Sequence, residues 1–96
     1  MSETTVADAP DQSRYEARVD GKLAGFAAYT RRGTGVVFTH TQVDDDFEGR
    51  GVGSRLVRSA LDDVRARGLL ATPLCPFVAA FIADHQEYAD LVAPAA

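Results

Sequence analysis

The stretch from Phe47 to Arg67 constrains the fold more than any other part of this chain. It opens with glycines at alternating positions, Gly49, Gly51 and Gly53. Apolar residues then recur at the intervals of one helix face, at Val52, Leu56, Val57, Ala60, Leu61 and Val64. The pattern predicts an amphipathic helix from about Gly51 to Arg67, entered through a glycine-rich turn and ended near Gly68, where a left-handed residue commonly stops a helix.

The start of this helix has chemical consequences. The first backbone N–H groups of a helix have no partner within it, and the peptide dipoles leave partial positive charge there. The glycines leave the backbone accessible, and Arg50 and Arg55 add full positive charge. One interpretation is a site for a phosphate or pyrophosphate, and the other is that the glycines only form a tight turn. A P-loop is excluded because that motif has Lys and then Ser or Thr after its last glycine, whereas Ser54 and Arg55 follow Gly53 here. A dinucleotide fingerprint is excluded because Leu56 stands where that motif has its third glycine.

The remaining segments predict a small mixed domain. Strands are expected at 13–19, 22–32, 36–43 and 69–74, and a final turn at 86–91. A second helix is expected from Phe77 to His85, with Phe77, Ala80, Phe81 and Ile82 facing inward. The order β-β-β-α-β-α predicts an α+β fold whose mostly antiparallel sheet is covered by helices. A single domain over residues 13–92 is expected, with a disordered arm over 1–12 and a frayed C-terminus over 93–96.

Composition narrows the function classes. The chain has 96 residues and a formal net charge of −4, which disfavours nucleic acid and anionic membrane surfaces as partners. Its one cysteine excludes an internal disulfide, and no apolar run is long enough to span a bilayer. The first residues are acidic and polar, unlike a secretory signal, so we expect a cytoplasmic protein with Cys75 reduced.

Two motifs carry a resemblance to a known family. The segment Glu48-Gly49-Arg50-Gly51-Val52-Gly53 resembles the acetyl-coenzyme A signature of the GNAT superfamily of N-acetyltransferases: Gln or Arg, two residues, Gly, one residue, then Gly or Ala. Glu48 departs from the first position. The segments 74–78 (Leu-Cys-Pro-Phe-Val) and 85–91 (His-Gln-Glu-Tyr-Ala-Asp-Leu) resemble the C-terminal signature of small single-domain, YjdJ-like members. The resemblance runs from about Tyr15 to Leu91.

The resemblance implies a minimal GNAT fold and acetyl-CoA as cosubstrate, without a metal. It also implies an amine of unknown identity as acceptor, and we expect a monomer or a weak homodimer. By resemblance, the residues that hold the pantetheine arm and pyrophosphate are Val43, Glu48, Gly49, Arg50, Gly51, Val52, Gly53, Ser54 and Arg55.

The reactive residues are less evident, because Val37 stands where many GNAT enzymes carry a glutamate base. Cys75 is a candidate nucleophile or proton donor, since a helix N-terminus favours the thiolate. His40, on the strand face that Val36 and Phe38 are expected to occupy, is a candidate base. The alternative interpretations are a buried apolar cysteine and a structural histidine.

Two functions therefore stay open, beside a third and weaker interpretation, an accessory domain without a ligand in which the glycines serve the turn alone. The first is an acetyl-CoA-dependent N-acetyltransferase with Cys75 at its reactive centre. The second is a non-catalytic module that binds coenzyme A, or a protein partner, on a GNAT scaffold; the short chain and the absent glutamate favour it.

Overall fold

The computed structural model describes residues 3–94 of the chain. The strands are β1 (Thr4–Ala9), β2 (Arg14–Val19), β3 (Lys22–Arg32), β4 (Gly35–Val43) and β5 (Leu70–Pro73). The α-helices are α1 (Val52–Ala66) and α2 (Pro76–Asp84). Short 3-10 turns occupy Pro10–Gln12, Asp45–Phe47 and Gln86–Leu91.

The five strands form one sheet in the order of the sequence. Neighbours from β1 to β4 pair antiparallel, and β5 pairs parallel with β4. The β2–β3 turn has positive φ at Asp20 and Gly21, and Gly33 turns β3 into β4 with φ 57°. The predicted α+β class, the four predicted strands and both helices are confirmed, with small shifts at their ends.

The N-terminal segment differs from the prediction. Residues 4–9 form β1, paired along its whole length with β2, so the expected disordered arm is wrong for residues 4–12. Val6 packs against the core, and the Tyr29 hydroxyl donates to Asp8 Oδ1 at 2.6 Å. These contacts anchor a segment whose own sequence carries little periodicity. Residues 1 and 2 lie outside the described residues.

Both helices lie on one face of the sheet, here called the helix face. Leu56, Val57, Leu61 and Val64 of α1 and Val78 of α2 are fully buried in one core. The sheet contributes to the same core the residues Tyr15, Ala17, Ala27, Tyr29, Val36, Phe38 and Ala71. The helix face is therefore the side on which the domain buries its apolar surface.

A β-bulge in β4 changes which residues share a face. Ala28 pairs with His40, whereas the next residue, Tyr29, pairs with Phe38, so Thr39 is the extra residue. Because side chains alternate along a strand, one extra residue reverses the faces beyond it. The expectation that His40 shares a face with Val36 and Phe38 is therefore wrong: Thr41 follows the bulge on the helix face, and His40 lies on the other.

Part of the C-terminal segment is hydrogen-bonded to β5. Val92 makes a parallel bridge with Ala71, and the Ala93 N–H donates to Ala71 O at 2.8 Å. The expected fraying is therefore wrong at residue 93, while residues 95 and 96 lie outside the described part. Over residues 3–94, no helix combines the length and the hydropathy needed to cross a membrane.

Candidate functional site

The strands β4 and β5 separate in the middle of β4. Their pairing ends at Phe38 and Pro73, and a proline has no N–H group to continue a ladder. The Cys75 N–H donates to Phe38 O at 2.9 Å, and the chain then enters α2. β4 runs on to Val43, so its edge from residue 39 onwards has no pairing with β5. The result is an opening between β4 and the start of α2.

The glycine turn lies beside this opening. Gly49 and Gly51 have φ of 79° and 74°, a conformation that glycine adopts without strain. Gly51 is the N-cap of α1, and the first helical bond runs from the Arg55 N–H to Gly51 O at 3.1 Å. The N–H groups of residues 52–54 therefore precede the first turn and are available to an acceptor from outside the helix.

A cleft of about 420 Å³ joins the turn to the end of β4. Its lining consists of Val43, Phe47, Glu48, Gly49, Gly51, Val52, Gly53, Ser54 and Phe77. Seven of the nine residues predicted to hold a cofactor are thus brought together, and the two arginines lie outside the lining. Arg50 stacks over the Phe47 ring at 5.4 Å.

Arg55 lines an adjoining groove between α1 and α2, also about 420 Å³ in volume, which shares Gly51 and Ser54 with the cleft. Phe81 of α2 and His85, which directly follows α2, form the wall opposite α1, with their rings stacked at 4.0 Å between centroids. Arg58 also lines the groove and donates to the Tyr88 hydroxyl at 3.2 Å. Tyr88 donates in turn to Asp62 Oδ1 at 2.6 Å, which ties the C-terminal 3-10 turn to α1.

Phe77 is a site residue that the sequence analysis placed in the core. Its side chain is instead 43% exposed at the cleft, and Val78, Phe81 and Ile82 provide the buried side of α2. A Cβ atom at Gly53 would lie 2.7 Å from Phe77 Cζ, so the absent side chain makes room for the ring. The inward positions predicted for Phe81 and Ile82 are confirmed, but those of Phe77 and Ala80 are wrong, because a nine-residue helix with apolar residues on most sides has little periodicity.

Cys75 lies buried at the N-cap of α2. Its Sγ atom donates to Thr41 Oγ1 at 3.4 Å. Burial raises the pKa of the Cys75 thiol, but hydrogen bonds to the thiolate from Thr41 and from the N–H groups of Val78 and Phe77 outweigh this effect and lower the pKa from its ordinary value of 9.0. The geometry therefore favours the reactive form of the thiol. Nothing in the local sequence around Thr41 indicated this contact.

His40 lies on the opposite side of β4. It is exposed, its ring packs edge-on against Phe26 at 6.0 Å, and its Nε2 atom lies 3.4 Å from Gln42 Oε1. The structure does not bring His40 and Cys75 together, because the bulge at Thr39 directs their side chains to different faces. Among residues 3–94, no group of three His, Cys, Asp or Glu side chains could hold a metal ion.

Comparisons with known proteins agree with this architecture. Residues 14–91 match a family model described as GCN5-related N-acetyl-transferase. Among curated protein sequences, none matches the chain significantly.

Solved structures with a similar fold include a GCN5-like protein from Staphylococcus aureus, with a TM-score of 0.72 and 18% identity over 100% of this chain and 94% of that one. The ribosomal-protein-S18-alanine N-acetyltransferase from Escherichia coli has a TM-score of 0.58 and 17% identity, over 73% of this chain and 63% of that one. Ard1 from Thermoplasma volcanium has a TM-score of 0.54 and 26% identity, over 62% of this chain and 41% of that one. This chain thus spans nearly all of the first protein and less than two thirds of the other two.

Proposed function

Because this chain belongs to the GCN5-related N-acetyltransferase family, we propose that its cleft binds acetyl-CoA and that Cys75 takes part in transferring the acetyl group to an amine. The family consists of acyltransferases, and acetyl-CoA is their general cosubstrate. The observation that carries the proposal is that the glycine turn and the strand opening border one cleft, while Cys75 lies buried two residues before Phe77 of its lining.

The start of α1 suits a pyrophosphate. The N–H groups of Val52, Gly53 and Ser54 precede the first helical bond, and Gly49 and Gly51 leave open space where a side chain would stand. Anions are favoured at a helix N-terminus by the partial charge of its free N–H groups. Arg55 in the adjoining groove adds positive charge, while Glu48 in the lining opposes it.

The opening between the strands suits a pantetheine arm. Beyond Phe38, the edge of β4 has backbone N–H and C=O groups that β5 does not use, and an extended ligand with amide groups can pair with such an edge. Val43 and Phe77 supply apolar surface at the same place. Bound acetyl-CoA would supply an acetyl group activated as a thioester.

Cys75 then acts as the nucleophile. Its thiolate, stabilised by Thr41 and by the N-terminus of α2, attacks the acetyl carbonyl carbon. A bond forms between that carbon and Sγ, and the carbon's former bond to sulfur breaks, releasing coenzyme A as its thiolate. The acceptor amine next attacks the acetylated cysteine, an N–C bond replaces the Sγ–C bond, and the amine proton returns to the cysteine thiolate.

Calorimetric titration and intact mass test this proposal together. We expect saturable binding of coenzyme A and of acetyl-CoA, followed by a single added acetyl group after incubation with acetyl-CoA. The adduct should vanish in Cys75→Ala while coenzyme A binding persists. Absence of binding at millimolar ligand would overturn the cofactor site, and binding without an adduct would overturn the role of Cys75 as nucleophile.

A second candidate function is coenzyme A binding without transfer. Two observations favour it: Glu48 is the one ionisable side chain among the residues that line the cleft, and His40 faces away from Cys75. A screen of amine acceptors separates the two functions, because only the transferase consumes acetyl-CoA when an acceptor is added.

A further inference from the structure

Cys75 lies beneath the surface, beside the cleft rather than in its lining. Its side chain is 4% exposed, whereas Phe77, two residues later, is one of the residues that line the cleft. A reagent that has entered the cleft therefore has to pass another part of the protein before it meets the Cys75 Sγ atom.

A route from the cleft to this thiol follows the helix face of β4. Val43 lines the cleft, and Thr41, which contacts the thiol, is the preceding residue on the same face. Two residues of a strand span about 6.6 Å, so the thiol lies about one such step from the cleft. Thr41 and Val43 are both half-buried, and the pairing of β4 with β5 has ended before them. These two residues therefore form the floor of the route.

The ring of Phe77 lies at the entrance to this route. Its side chain starts at the N-terminus of α2 and is 43% exposed. The ring reaches the buried Gly53 of α1, where a Cβ atom would lie 2.7 Å from Cζ and 3.3 and 3.5 Å from two further ring atoms. The ring thus extends from the start of α2 to the start of α1, and it packs against α1 because Gly53 has no side chain.

We propose that Phe77 is a size-selective gate between the cleft and Cys75. With its ring packed against Gly53 the route is closed, and with the ring turned outward a small group passes to Sγ while a bulky one is excluded. A half-exposed ring changes rotamer without backbone movement, because one side of it meets water. The consequence for acyl groups rests on the proposed function: Cys75 should accept acetyl in preference to longer acyl groups.

The test compares two alkylating reagents that share one reactive group, iodoacetamide and its bulky N-naphthyl derivative. Cys75 is the one cysteine of the chain, so intact mass follows its alkylation alone. Both reagents attack the same thiolate, so the ratio of the bulky-reagent rate to the small-reagent rate does not depend on the thiol pKa. The urea-unfolded chain gives this ratio without a gate. In the folded parent chain we expect the ratio to lie about tenfold or more below that reference.

Two variants should open the gate in different ways. Phe77→Ala removes the ring, so the ratio should rise towards that of the unfolded chain. Gly53→Ala keeps Phe77 but places a Cβ atom where the ring packs, so the ratio should rise here as well. Leu74→Ala is the matched control, because Leu74 directly precedes Cys75, is 67% exposed and does not line the cleft. This control should keep the ratio within about twofold of the parent chain.

Urea unfolding of each variant separates the gate from global unfolding. The unfolding free energy sets the alkylation rate that the unfolded state alone allows, and the observed rates in Phe77→Ala and Gly53→Ala should exceed it. An unchanged ratio in either of these variants, an equal rise in Leu74→Ala, or rates that global unfolding accounts for would overturn the gate.

This outcome is separate from that of the acetyl-transfer test. Alkylation needs no coenzyme A, so a raised ratio without coenzyme A binding would overturn the proposed function and support the gate. Where the acetyl adduct forms, butyryl-CoA should give less adduct than acetyl-CoA in the parent chain, and Phe77→Ala should reduce that difference. Equal amounts of the two adducts in the parent chain would overturn the preference for acetyl.

Discussion

The Sγ atom of Cys75 lies 3.4 Å from Thr41 Oγ1, across the opening where β4 and β5 separate. Thr41 reaches the thiol only because the extra residue Thr39 reverses the faces of β4. One bulge therefore determines which residue meets Cys75, and it places His40 on the opposite face.

Thr41→Val should raise the pKa of the Cys75 thiol, because it removes a hydrogen bond to the thiolate while keeping nearly the same side-chain volume. The pH at which iodoacetamide alkylation reaches half its maximal rate should lie below 9.0 in the parent chain and move upward in the variant. The matched change His40→Ala should leave this midpoint unaltered. An equal shift in the histidine variant would show that His40 does influence the thiol.

The same lowered pKa predicts how stability depends on pH. Because the folded state favours the thiolate, ionisation of Cys75 stabilises the folded state as pH rises above the pKa that the thiol has there. This contribution is complete above the thiol's pKa in the unfolded chain, about 9.0. It is lost as pH falls through the folded-state pKa. The difference in unfolding free energy between the parent chain and Cys75→Ala, measured by urea titration at several pH values, should therefore grow across that window.

Gly51→Asp should abolish coenzyme A binding, because a carboxylate at the N-cap of α1 would occupy the place proposed for phosphate. The matched control is Gly51→Asn, which is similar in size, tolerates positive φ and carries no charge. Calorimetric titration should show at least tenfold weaker binding in the aspartate variant than in the asparagine variant. Equal affinities would argue against a phosphate at this helix end.

Two glycine substitutions should differ sharply in their effect on stability. At Gly25, a new Cβ would lie 2.7 Å from the backbone oxygen of Gln42, which cannot move without disturbing the ladder. Gly25→Ala should cost about 2 kcal/mol or more of unfolding free energy. At Gly53 the conflicting atom is the tip of the half-exposed Phe77 ring, which can rotate away.

Gly53→Ala should consequently change the unfolding free energy by less than about 1 kcal/mol, since the better helix propensity of alanine offsets the displaced ring. In a Phe77→Ala background the same substitution should be stabilising. Urea unfolding of the single and double variants measures both effects, and a large loss at Gly53 in both backgrounds would contradict this account of the cleft.

Deletion of residues 1–9 should lower the melting temperature by about 10 °C, because β1 supplies a full ladder of hydrogen bonds to β2 and an acceptor for the Tyr29 hydroxyl.

The milder variant Tyr29→Phe removes only the hydrogen bond to Asp8 and should lower the unfolding free energy by about 1 kcal/mol. Burial, with the Asp8 bond and charge, raises the pKa of Tyr29 from 10.0 to about 12. The stabilisation is therefore complete below pH 10.0 and is lost as pH rises through about 12. An unchanged melting temperature in both variants would mean that β1 is not docked in solution.

Local sequence signals were sufficient for much of this fold. The apolar positions of α1 recur with the helical period, and the core buries every one of those predicted. The predicted strand over 22–32 coincides with β3, since Asp20-Gly21 and Gly33 mark both of its ends. Seven of the residues that the family resemblance assigned to cofactor binding line one cleft, since all but Val43 are neighbours along the chain.

The sequence by itself therefore determined the elements whose periodicity or turn residues lie within the element, together with the helix start that offers free N–H groups. Only the tertiary structure decided the rest: β1, the bulge at Thr39, the exposure of Phe77 and the contact between Thr41 and Cys75. Each of these depends on which distant segment pairs or packs against it. The segment 4–9, with Val6 as its one large apolar residue, becomes a strand because the edge of β2 offers it hydrogen bonds. The face that a residue of β4 occupies follows from the register of β4 with β3.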